Sequence, residues 1–249
     1  MIKILRGTEA ERIDYGGLEV GRMIVCTDSL IAWIGTAGGD VIVGNADGFM
    51  IAEEFDDLNT AAIDGQGVYG RCASWVGDEQ GTGTAEVTVL AGDDKMLTLT
   101  TGAPNAGNFG SARLDINANS KMSNGIIKYK FRSSDVNLSV DTKFEENGTV
   151  RFIVGTWANQ FRFRWGTANW TNFKAIANDT WYTVEIHFDS ASQIITCFVD
   201  GAWAGYTTQH DDSKFKYIDR LFTRSYDDNI TFDIDELEIV SFGTYPHLI

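Results

Sequence analysis

Trp181-Tyr182-Thr183-Val184-Glu185-Ile186-His187-Phe188, followed after a polar break by Ile194-Ile195-Thr196-Cys197-Phe198-Val199-Asp200-Gly201, decides the fold. Successive side chains of an extended chain point to opposite faces, so Tyr182, Val184, Ile186 and Phe188 share one side and Thr183, Glu185 and His187 the other. The apolar set is read as core-facing and His187 as a residue of the outer sheet face. Asp200-Gly201 marks a hairpin turn after the second run.

Working outward, the same alternation recurs at residues 85–90, 96–101, 126–131, 137–143, 150–154, 161–165 and 231–240. Alternating segments at intervals of roughly ten residues predict an antiparallel two-sheet sandwich. In the last segment Ile234 and Leu237 cannot both face a core in unbroken alternation, so a bulge is expected between them. The strongest helical candidate, Ser213 to Leu221, is one or two turns at most.

The segment before Phe49 has a different texture. Short apolar runs at residues 2–5, 23–25, 30–34 and 41–43, separated by glycine turns such as Tyr15-Gly16-Gly17, predict four or five short strands. The chain is therefore divided into residues 1–48 and 49–249, coupled closely through Gly44-Asn45-Ala46-Asp47-Gly48. So short a first segment, without metal or disulfide, cannot bury enough apolar surface alone and is expected to fold against copies of itself.

Of 249 residues, 35 are acidic and 20 basic, a net charge of -15 with a pI near 4.5. Such a field repels phosphate backbones and anionic lipid, so no nucleic-acid partner is expected. No run approaches the ~20 apolar residues of a membrane span, and Met1 to Ala10 does not read as a secretory leader. Membrane insertion is not expected. Cys26, Cys72 and Cys197 form no CxxC pair and lack histidines spaced to complete a zinc site; all three are read as buried thiols of a reducing compartment.

Leu5-Arg6-Gly7-Thr8-Glu9-Ala10-Glu11-Arg12, with Gly17-Leu18-Glu19-Val20-Gly21, Thr27-Asp28, Ile34-Gly35 and Gly38-Gly39, resembles the N-terminal domain of bacteriophage tropism-determinant and tail-fibre proteins. Gly21-Arg22 stands where many relatives have Gly-Glu. The resemblance implies an intertwined, trimeric β-prism. The remaining 200 or so residues resemble the concanavalin A-like (laminin-G-like) jelly-roll superfamily, through Glu53-Glu54-Phe55-Asp56-Asp57-Leu58, the Trp181 strand with its Asp200-Gly201 hairpin, and Phe232-Asp233-Ile234-Asp235-Glu236-Leu237-Glu238-Ile239. The expected fold class is thus all-β: a small N-terminal β-prism-like domain plus an antiparallel two-sheet jelly-roll sandwich.

That second resemblance implies one structural Ca2+ tying the first strand to the last, with Glu54 and Asp56 meeting Asp233 or Asp235. It also brings two catalytic patterns. Asp233-Ile234-Asp235-Glu236-Leu237-Glu238 resembles the Glu-x-Asp-x-x-Glu of retaining glucanases, although it opens on Asp and lies on the closing strand. Glu185-Ile186-His187 resembles the Gln-Ile-His of sandwich-fold alginate lyases, with Asn172-Phe173-Lys174-Ala175 and an arginine strand at Phe161-Arg162-Phe163-Arg164. These patterns make a polysaccharide depolymerase the alternative reading.

The leading reading is binding. Trp157, Trp170 and Trp203, with Tyr206 and Asn169, combine aromatic faces for stacking on sugar rings with amide and hydroxyl partners for their hydroxyl groups. Together with the N-terminal resemblance they predict a virion structural protein, a homotrimer joined to other virion proteins through residues 1–48. It is expected to assemble in the bacterial host cytoplasm and to touch host surface polysaccharide without covalent chemistry.

Overall fold

A computed structural model describes residues 4–7, 23–26, 31–36, 39–42, 49–67, 73–77, 81–92, 94–102, 109–116, 120–165, 170–208, 214–225, 227 and 229–242. The first strands are β1 (Ile4–Gly7), β2 (Met23–Cys26), β3 (Ile31–Thr36), β4 (Gly39–Ile42), β5 (Phe49–Glu53) and β6 (Ala73–Gly77). There follow β7 (Thr84–Ala91), β8 (Asp94–Thr100), β9 (Ser111–Ile116), β10 (Asn124–Ser133), β11 (Val140–Glu146), β12 (Thr149–Trp157) and β13 (Gln160–Trp165). The last are β14 (Thr171–Ala175), β15 (Tyr182–Asp189), β16 (Ile194–Val199), β17 (Ala202–Thr208), β18 (Arg220–Ser225) and β19 (Thr231–Ser241).

β1 to β4 form a sheet of their own in chain order, with β1 parallel to β2. From β5 onward every strand belongs to one of two antiparallel sheets. One runs β17-β16-β15-β10-β19-β8-β7, with β5 also paired to β19; the other runs β14-β13-β12-β11-β18-β9-β6. This is the expected sandwich, and its architecture is that of a jelly roll.

The alternation read from the sequence sets which side chains meet between the sheets. Val184, Ile186 and Phe188 are buried, as expected, and Tyr182 packs partly buried against the same core. Phe131 of β10 stacks on Phe161 of β13 with ring centroids 5.2 Å apart, joining the two layers, and on Phe232 of β19 at 5.6 Å. A fully buried Phe contributes roughly 1.5–3 kcal/mol relative to exposure. Asp200 and Gly201 take φ of 51° and 71°, the left-handed pair of a tight hairpin turn whose twist matches the flanking strands.

The bulge in β19 is present. Lys128 pairs with Glu238 but Lys130 with Asp235, and Glu236 adopts φ 46°, so Ile234 and Leu237 both turn inward. It also divides the other edge of β19 between β8, on Thr231 to Ile234, and β5, on Leu237 to Ser241. The helical expectation at Ser213 to Leu221 is corrected. Residues 214–219 make no helical turn, and Leu221 lies in β18, where pairing on both sides with β9 and β11 rewards a period of two.

Cys197 is a buried free thiol, pushed up to about 12 by burial, and Cys26 lies on β2; Cys72 falls outside the described residues. Among the described residues no helix is long and apolar enough to cross a membrane.

Candidate functional site

In β13 the aromatic positions Phe161, Phe163 and Trp165 point inward, which sends Arg162 and Arg164 to the outer face of the seven-stranded sheet. Register then decides their neighbours. One row crosses the sheet as Arg162, Gly155, Asp141, Arg224 and Ser111; the next as Arg164, Ile153, Lys143, Phe222 and Arg113. Arg151 and Arg220 complete the set. Six of the chain's eleven arginines thus sit on one face of an acidic protein.

Most of these cations are matched. Arg113 and Arg220 both pair with Asp115, at 2.9 and 2.8 Å; Arg220 also reaches Glu145 at 3.2 Å, and Arg151 pairs with Glu146 at 2.9 Å. At the β13 end the balance changes. Arg162 comes within 3.9 Å of Asp141 and donates to Ser139 Oγ at 3.2 Å. Arg164 forms no ion pair or hydrogen bond among the described residues, and its buried Nε lacks an acceptor.

Arg162 can cross to Asp141 because the residue between them on β12 is Gly155. A Cβ there would lie 2.5 Å from Asp141 Oδ1. Asp141 is buried, and burial raises its carboxyl above the ordinary range against the opposing pull of Arg162, Lys143 and Arg164. Burial likewise lowers the Arg162 guanidinium. The two ions are therefore held in a half-dry setting where electrostatic contacts are stronger than in water.

Trp157 closes β12 and is 46% exposed, a large apolar surface facing water. It precedes a tight turn in which Ala158 and Asn159 both take positive φ, at 50° and 58°. Arg162 stacks over Trp170 at 3.8 Å and over Trp157 at 5.5 Å, and Arg164 lies 4.9 Å from the Trp170 ring. Asn172, exposed on β14, pairs in register with Arg162. The result is a ridge of two indoles interleaved with two guanidinium groups and an amide.

The platform expected from the sequence is therefore smaller in one respect and larger in another. Trp157 and Trp170 come together. Trp203 and Tyr206 lie on β17, the edge strand of the other sheet, and Asn169 falls outside the described residues. The arginine face is a further finding: Phe161-Arg162-Phe163-Arg164 sets arginines at alternate positions, and Arg220 and Arg224 stand four apart on the same side of β18. Trp165 is core, whereas Trp181 precedes β15, half-buried, and stacks with Arg132 at 4.9 Å.

Trp181 instead helps line a cleft of about 470 Å³ on the eight-stranded sheet, with Glu54, Asp56, Asp94, Lys130, Asp235 and Glu236. Three of the four expected calcium ligands meet here, but Asp233 does not join them. Its carboxylate takes Arg132 Nη2 at 2.7 Å, Arg132 Nε at 2.9 Å and Thr98 Oγ1 at 2.9 Å. Asp56 Oδ1 accepts the Lys95 amide at 2.9 Å. Calcium takes about six to eight oxygens, and among the described residues no group of three or more Asp, Glu, His or Cys is placed to hold a metal ion.

Neither catalytic pattern assembles. On β19 the acids are dealt to separate cations, Asp233 to Arg132, Glu236 to Lys130 and Glu238 to Lys128. His187 hydrogen-bonds Glu185 on the outer face of β15, whereas Arg162 and Arg164 lie on the outer face of the opposite sheet. Sheets pack about 10 Å apart, so the core itself separates the histidine from the arginine strand.

No family model matches the chain, and no curated protein matches it either. Solved structures do share its fold. A sialidase superposes with a TM-score of 0.62 at 13% identity, covering 85% of this chain and 21% of its own. A botulinum neurotoxin type C structure, from work on that toxin's dependence on interaction with two ganglioside molecules, gives 0.51 at 12% identity, covering 77% of this chain and 49% of its own. The receptor-binding domain of botulinum neurotoxin type G gives 0.50 at 10% identity, over 76% of this chain and 48% of its own. This chain spans about a fifth of the sialidase and about half of each toxin chain. At such identities the likeness establishes the sandwich fold alone.

Proposed function

We propose that this chain is a glycan-binding protein whose sandwich domain engages sugar through the outer face of the seven-stranded sheet. One observation carries the reading: exposed Trp157 and half-buried Trp170 flank Arg162 on a rigid sheet, beside Asn172. Indole faces stack on the apolar faces of sugar rings, while amide and guanidinium donors take ring hydroxyls. The glycan-directed names among the fold neighbours, a sialidase and a toxin that interacts with gangliosides, support it.

The resemblance of residues 1–48 to phage fibre N-termini supports placing the protein on a virion, as a trimeric fibre or decoration subunit that presents the sandwich to host polysaccharide. Binding to a glycan array tests the first part. Trp157→Ala and Trp170→Ala are each expected to weaken the bound glycan about 10-fold or more, because stacking of an aromatic ring is lost. Unchanged binding by both variants, or no binding by the wild type to any glycan, would remove the sheet face from consideration.

A further inference from the structure

Resting on the glycan-binding reading, we infer that this face selects acidic glycans, those carrying carboxylate groups on their sugar rings, with Arg162 and Arg164 as the partners of the carboxylate. The chain as a whole carries -15, yet around Asp141 the sign inverts: Arg162, Lys143 and Arg164 act on that carboxylate, and Asp227 is the other acid that acts on Arg162. Farther along the sheet Arg113, Arg151 and Arg220 are neutralised by Asp115, Glu146 and Glu145. The excess positive charge is thereby concentrated at the aromatic end.

Arg164 is the decisive residue. No carboxylate pairs with it among the described residues, and its Nε, like those of Arg151, Arg162 and Arg224, is buried without an acceptor. A guanidinium without a counter-ion in a half-dry setting gains more from an incoming carboxylate than one already paired. Arg162 is only 12% exposed and is fixed from both sides, by stacking on Trp170 and by Asp141 and Ser139, so little side-chain freedom remains to be lost on binding. Guanidinium groups present a planar fork that fits a carboxylate with two parallel hydrogen bonds. A neutral sugar would leave Arg164 as it stands.

The test uses the full chain against oligogalacturonate, oligomannuronate and sialyllactose, each beside a neutral counterpart: the two methyl-esterified oligouronates and lactose. At least one acidic probe is expected to bind 10-fold or more tightly than its counterpart, with an affinity that falls as salt rises. Arg164→Gln and Arg162→Gln should each remove about 10-fold, whereas Lys128→Gln on the other sheet should change nothing. Should Arg162→Gln unfold, Arg164→Gln, which breaks no ion pair, carries the test, with thermal denaturation as the check on folding. Equal binding of acidic and neutral probes would overturn the acidic preference and leave the glycan reading intact. Failure of every sugar would overturn both. Retention of dextran sulfate and DNA by the wild type as strong as that of the acidic glycan, and lost to the same degree in the arginine variants, would overturn the proposal in favour of unspecific charge.

Discussion

Asp235 sits in the acidic cleft, buried and close to Asp94 and Glu236. Burial first, and then those two neighbouring carboxylates, raise its carboxyl from 3.8 to about 6, although the Glu236 amide and Lys130 pull the other way. An acid whose value in the folded chain exceeds that in the unfolded chain binds its proton more tightly when folded. The stability linked to it is therefore fully present below about pH 4 and lost as pH rises through about 6. Asp235→Asn keeps an oxygen for the Glu236 amide, which donates at 2.7 Å, and cannot ionise. The variant is expected to outlast the wild type in denaturant at pH 7, with the difference vanishing near pH 4. Asp141 shifts in the same direction, so the contribution of Asp235 is read from the difference between the two proteins. Parallel pH profiles would show that the cleft does not hold Asp235 in this way.

At the scale of the element, β12 is built around Gly155. A Cβ at that position would stand 2.5 Å from both the Asp141 carboxylate and the Val140 carbonyl. The carboxylate could swing aside, but the carbonyl belongs to the paired strand and cannot move without opening the β11–β12 ladder. Gly155→Ala is therefore expected to cost about 1–3 kcal/mol, the ordinary range for overfilling a packed site. A denaturant series on the two proteins checks this, and a stable variant with unchanged midpoint would mean that the strands can part freely. The same substitution should weaken glycan binding more than its loss of stability alone explains, because Arg162 reaches Asp141 across the glycine.

At the scale of the whole molecule, Phe49 opens the sandwich. β5 begins there and pairs directly with β19, so the sandwich has its strands from that residue onward, while β1 to β4 pair only with one another. Sedimentation of the full chain is expected to give a trimer, and a chain beginning at Phe49 a monomer that retains glycan binding. A monomeric full chain would contradict the view that the short first segment needs sister subunits to bury its apolar residues. Net charge belongs to this scale as well. The acidic remainder of the surface opposes unspecific self-association, while six arginines gather on one face.

By itself the sequence determined the layers. Period-two alternation in runs such as Tyr182 to Phe188 assigns each side chain to core or solvent, since a one-residue slip would turn every apolar group outward. The same logic places the bulge between Ile234 and Leu237. It failed at Ser213 to Leu221, where a short apolar pattern fits either period and only the strands on both sides choose. It could not have found the site. Arg162, Asp141 and Arg224 are separated by up to 83 residues in sequence yet occupy one row, and nothing local says which strands are neighbours. Tertiary structure alone decided that Trp157 and Trp170 share a face with these charges, and that Asp233 meets Arg132. Strand order is fixed by long-range packing of the two sheets, and it is strand order that turns scattered arginines into a surface.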